Sequence, residues 1–177
     1  MTVLFSLIAL LSLLSFLLKT SFFPRGGTAT ASFVLAFCVF TLIPWLTRQP
    51  ADMLAEWVSS PGRVRDGTVC IVLEALLMTA FCFARPSGRL PWLKYYPGLL
   101  AIPFTCLGWA QFLFSHPGLD FGRFAWTAAL ITLSAAFCFS RLLYRLVPEQ
   151  EPRLEGLFLI NLFLLLLAIV ATGAINY

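Results

Sequence analysis

The sequence predicts an all-α membrane protein, a bundle of about six transmembrane helices, and two observations lead there. The 177 residues are 60% hydrophobic and only 11% charged, whereas soluble domains carry roughly 25% charged residues. The apolar residues also fall into runs of about 20, the length a helix needs to cross roughly 30 Å of hydrocarbon. The charges lie almost wholly between those runs, so the net +4 reads as topology-setting loop charge and not as a nucleic-acid surface.

The first run, 2–23, has no charge before Lys19. It lacks a basic leading region and a convincing cleavage site, and is expected to stay as the first span. Pro24, Arg25, Gly26 and Gly27 predict a tight turn, and a second span follows over 28–46 with Trp45 at its headgroup end. In the long loop that comes next, Pro50 and Asp52 favour a helix start. Met53, Leu54, Trp57 and Val58 form one apolar side. That segment is either an amphipathic helix lying on the membrane surface or a docking platform for a partner.

The third span, 67–84, carries Glu74, the one carboxylate at membrane depth. A basic turn follows, and Trp92, Tyr95 and Tyr96 suit the headgroup region. Pro103 lies inside the fourth span, 97–115, and predicts a kink. The fifth, 121–146, spaces Ala128, Thr132, Ala136 and Ser140 at intervals of four. Small residues so spaced form a smooth stripe that lets another helix approach closely, which marks this as the central packing helix. The sixth, 154–175, is Leu-rich and Phe-rich around most of its circumference and is expected to face lipid, with Glu155 and Asn161 as exceptions.

Odd-numbered loops hold 8 lysines and arginines and even-numbered loops 4. By the positive-inside tendency the odd loops face the cytoplasm and both termini the periplasm. This depth map puts Glu74 level with Gln111, Arg123, Thr127 and Thr41. An ionised carboxylate in hydrocarbon costs several kcal/mol unless it is paired, protonated or used. Three readings stay open: a structural brace bonded to Gln111 or Arg123, a contact to a partner subunit, and an ion-binding group in a small proton-coupled carrier.

Other chemistry finds little footing. The five cysteines occur singly and predict buried structural thiols. A single histidine excludes bis-histidine haem, and neither a phosphate loop, a metal-spaced cluster nor a nucleophile elbow is present. The pattern points away from an enzyme, and no metal or cofactor is implied.

Three segments carry a family resemblance: 49–57 with its Ala-Glu-Trp ending, Val72-Leu73-Glu74 with the later Ala80-Phe81-Cys82, and Arg153-Leu154-Glu155-Gly156-Leu157-Phe158-Leu159-Ile160-Asn161. Together they resemble small multi-pass inner-membrane proteins encoded beside the proton-driven TonB-ExbB-ExbD energising system of some Gram-negative bacteria. The chain does not resemble ExbB itself, whose large cytoplasmic helical domain has no counterpart here. The resemblance implies an accessory or scaffolding subunit of an envelope motor, with ExbB-like or ExbD-like partners, and it transfers no functional residue.

Overall fold

A computed structural model describes residues 2–49, 60–83, 91–116, 118 and 120–175. The amphipathic segment of Met53, Leu54, Trp57 and Val58 lies outside them. The helices are α1 (Thr2–Thr20), α2 (Arg25–Leu46), α3 (Pro61–Phe83), α4 (Ala101–Ser115), α5 (Phe121–Leu146) and α6 (Gln150–Ile175), with one 3-10 turn over Pro91–Lys94. The described residues hold no strand.

Four stretches, Arg25–Leu46, Arg65–Phe83, Phe121–Leu146 and Gln150–Gly173, are long and apolar enough to cross a bilayer, whereas the apolar parts Ser6–Thr20 and Ala101–Ser115 are shorter. The helices present large apolar side chains outward, among them Leu10, Phe33, Phe37, Leu73, Leu76, Phe112, Trp126, Leu130, Phe163 and Ile169. Water would not tolerate such a surface, and hydrocarbon does.

The boundaries follow local chemistry. Helix α2 begins at Arg25 because the chain turns earlier, over Ser21 to Pro24, and Pro24 takes the extended N-cap conformation. Pro61 opens α3 at the first helical position, where its missing N–H costs nothing. Asp120 caps α5 by accepting from the Gly122 amide at 3.0 Å.

Helix α4 starts at Ala101, four residues later than expected, so Pro103 falls in its first turn. A proline there deletes an N–H that has no helical acceptor, so the expected interior kink does not arise.

The helices pack in two groups. Helix α2 lies along α5, with α4 packed on α2, and α3 lies along α6. Their cores differ accordingly: Val39, Ile43, Cys106, Leu113, Phe124 and Ala128 fill the first group, and Ile71, Leu164, Ala168 and Ala171 join α3 to α6, together with Ile8 of α1.

Helix α1 packs on α2, α4, α5 and α6. It, and not α5, is the central helix, because α5 turns one side to α2 and leaves Trp126, Leu130, Ile131 and Phe137 outward. Helix α6 is likewise two-sided, burying Leu157, Leu164 and Ala168 while exposing Leu159, Phe163 and Leu166. Of the cysteines Cys106 alone is fully buried, and Cys70 and Cys138 are exposed on outward faces.

Candidate functional site

Glu74 sits on the inner face of α3, 8% exposed. Its Oε2 accepts hydrogen bonds from the Leu99 amide at 2.9 Å, the Leu100 amide at 2.8 Å and the Tyr96 hydroxyl at 3.2 Å. Those two amides stand at the start of α4, whose N-cap Leu100 supplies no side-chain cap of its own. A helix start leaves N–H groups without helical partners and carries partial positive charge. Glu74 meets that need from a different helix, acting as an N-cap in trans.

The backbone is shaped for this contact. Gly98 has φ of 102°, a conformation that favours glycine. A Cβ there would come to 3.0 Å from Met78 Cε and 3.1 Å from Glu74 Oε1. Pro97 and Gly98 thus keep residues 97–100 out of the helix and let the main chain close on the carboxyl group. The Tyr96 hydroxyl is the third donor to the same oxygen.

The groups expected at the same depth as Glu74 lie elsewhere. Gln111 is exposed on the outer face of α4. Arg123 is 91% exposed on its side chain and pairs loosely with Asp120 at 3.6 Å. Thr127 donates to the Phe124 carbonyl one turn back, and Thr41 to those of Phe37 and Cys38. Glu74 is therefore not bonded to Gln111 or Arg123. The depth map fails because α4 begins beside the middle of α3, where Leu99 and Leu100 meet Glu74.

Ala128, Thr132, Ala136 and Ser140 are all buried. Thr132 accepts from Trp109 Nε1 at 2.9 Å, and Ser140 Oγ lies 2.7 Å from Thr20 Oγ1. The stripe is covered by the chain's own helices, which leaves it closed to a partner.

Three further buried polar residues escape a reading of residue types. Lys19, 0% exposed, donates from Nζ to the Leu93 carbonyl at 3.0 Å and lies over the Phe81 ring. Asn161, 1% exposed, donates to Ser15 Oγ at 3.0 Å and to the Leu157 carbonyl at 2.7 Å. Arg153, 3% exposed, donates to the Ser21 carbonyl at 3.0 Å and the Glu149 carbonyl at 3.1 Å, between the rings of Phe22 and Tyr144. Lys19 and Arg153 read as loop charges because each closes or opens an apolar run; their one signal is a position three residues before paired phenylalanines for Lys19 and next to a proline for Arg153.

No family model, curated protein or solved structure matches the chain. Its site is defined by its own chemistry. Among the described residues no group of His, Cys, Asp and Glu is placed to hold a metal ion. Glu74, Lys19, Asn161 and Arg153 act as braces: each links two segments of chain through hydrogen bonds to backbone or side-chain groups.

Proposed function

We propose that this chain is a non-enzymatic, multi-pass inner-membrane protein acting as an accessory or scaffolding subunit of an envelope complex of the Ton type. Six spans, with α1 and the short α4 counted, and both termini in the periplasm complete the reading. The observation that carries it is the outer face of α4. Gly108, Gln111 and Ser115 stand exposed there at helical spacing, and a Cβ on Gly108 would meet nothing within 4 Å.

An amide facing hydrocarbon is costly, and a shallow notch beside it suits a second helix. Glu74, by contrast, has its donors inside the chain, which moves the contact feature from Glu74 to α4. The resemblance to proteins encoded beside ExbB and ExbD supports the choice of partner.

The test is purification of the tagged protein from its native membrane in mild detergent, followed by mass spectrometry. A stoichiometric ExbB-like or ExbD-like partner, lost in Gln111→Leu, supports the reading. A protein that emerges alone and monodisperse overturns it.

A second reading, a small proton-coupled carrier using Glu74, draws on the non-helical segment 95–100 that meets this carboxyl group inside the bundle, since carriers bind ions where helices are interrupted. It requires Glu74→Gln to abolish proton flux in reconstituted vesicles without loss of expression, and unchanged flux removes it.

A further inference from the structure

A cavity lies away from Glu74, at the end of the bundle where the α1–α2 and α5–α6 turns meet. It measures about 1000 Å³, and Arg25, Arg141, Arg145 and Arg153 line it together with Ser21 and Gln150. No carboxylate is among the lining residues, and among the described residues no ion pair involves any of the four arginines. Four guanidinium groups around one space repel one another unless an anion joins them.

Two of the four are differently engaged. Arg153 forms the floor, its donors taken up by the carbonyls of Ser21, Glu149 and Pro148. Arg141 holds its Nη2 buried and without a hydrogen-bond partner, a costly state for a charged donor. Arg25 and Arg145 are exposed at the rim.

Apolar walls complete the space: Phe22, Phe23, Phe137, Phe139 and Leu142 line it beside the arginines. Arginine forks match phosphate oxygens in pairs, and basic pockets between membrane helices on the cytoplasmic side suit anionic headgroups.

We propose that this cavity binds a phosphate group, with Arg141, Arg145 and Arg25 as its ligands and Arg153 as a fixed positive floor. The phosphate comes from an anionic phospholipid headgroup, whose acyl chains lie along Phe137, Phe139 and Leu142, or from a free phosphate.

The experiment uses the full chain in neutral detergent and reads adducts by native mass spectrometry and thermal stability. The probes are phosphatidylglycerol, phosphatidylcholine and inorganic phosphate. Proteins compared are the wild type, Arg141→Gln, Arg25→Gln/Arg145→Gln, and Arg123→Gln as a charge-matched control at the opposite end of α5. The rim double variant leaves every buried group in place and keeps the test valid if Arg141→Gln misfolds.

Phosphatidylglycerol is expected to bind the wild type and Arg123→Gln alike, about fivefold more weakly to Arg141→Gln and about thirtyfold more weakly to the double variant, as loss of about 1 kcal/mol per arginine requires. Persistence of that binding in excess inorganic phosphate assigns the site to a lipid headgroup. Phosphate-induced stabilisation that the cavity variants lose, with displacement of the lipid, assigns it to a free phosphate. Equal binding by all four proteins, equal binding of phosphatidylcholine, or no binding of any probe overturns the proposal.

Discussion

Replacing Glu74 by alanine removes the acceptor for two backbone amides and one phenol at once, and the geometry sets the magnitude. The Leu99 and Leu100 amides lie 2.9 and 2.8 Å from Oε2, and in a helix that starts inside the bundle no water replaces the lost oxygen. Each orphaned buried amide costs about 1–3 kcal/mol, so Glu74→Ala is expected to destabilise the protein by about 2–6 kcal/mol. For a chain of this length that corresponds to a fall of roughly 5–15 °C in Tm. Glu74→Gln keeps one carbonyl oxygen in position and loses only the charge-assisted part of the bonds, about 1 kcal/mol.

The assay has two arms: thermal unfolding in detergent, and hydrogen exchange at residues 96–104 followed by mass spectrometry. Glu74→Ala should speed exchange at Leu99 and Leu100 selectively, ahead of global unfolding. Unchanged exchange at these two amides, or equal damage from glutamine and alanine, refutes the capping role.

Four further substitutions test the cap, the helix packing and the Arg153 brace. Gly98→Ala should cost about 1–3 kcal/mol through its positive φ and the approach to Glu74 Oε1; measured together with Glu74→Ala, the two losses should fall well short of additive. Ala136→Leu, buried beside Phe16, Ala31 and Leu35, should overpack the interface by about 1–3 kcal/mol. Leu166→Ala on the outward face of α6 should stay within about 0.5 kcal/mol, a contrast readable in detergent melting curves. Arg153→Lys keeps the charge but replaces a fork that reaches three carbonyls by a single point, and a loss of about 1–3 kcal/mol in the same melt is expected; a neutral result would mean that the ring contacts alone hold this end.

How much of this was legible in the sequence divides along a physical line. Hydrophobic run length sees a helix wherever about 20 apolar residues follow one another. It therefore located α2, α3, α5 and α6 and set the fifth at 121–146, as observed. It extended the fourth run back to Pro97, because Pro97, Gly98, Leu99 and Leu100 are as apolar as the helix they precede. Only the φ of Gly98 and the bond from α3 take them out of the helix.

The same blindness hid the partners of Glu74. Backbone amides donate whatever their side chains, and a search for polar residue types at matched depth could return only Gln111, Arg123, Thr127 and Thr41. The Pro-Gly pair at 97–98 is the signal that pointed elsewhere. Lys19 and Arg153 were visible as charges but not as buried ones, because burial depends on which helix ends meet.

The polar braces converge on α1 for a reason. In lipid the hydrophobic effect does not favour a neighbouring helix over an acyl chain, so close fit and hydrogen bonds must choose the neighbours. Within seven residues α1 makes that choice on every side. Ser15 meets Asn161 on α6, Lys19 meets Leu93 before α4, Thr20 meets Ser140 on α5, and Ser21, just past its end, meets Arg153 at the start of α6. A rotation of α1 by one residue, about 100°, would turn all of these groups toward lipid or apolar side chains together. The register of the central helix is thereby fixed by bonds to three separate segments, and the α3–α6 pair is locked to the α2–α4–α5 group through it, with Glu74 adding a direct bond from α3 to the start of α4.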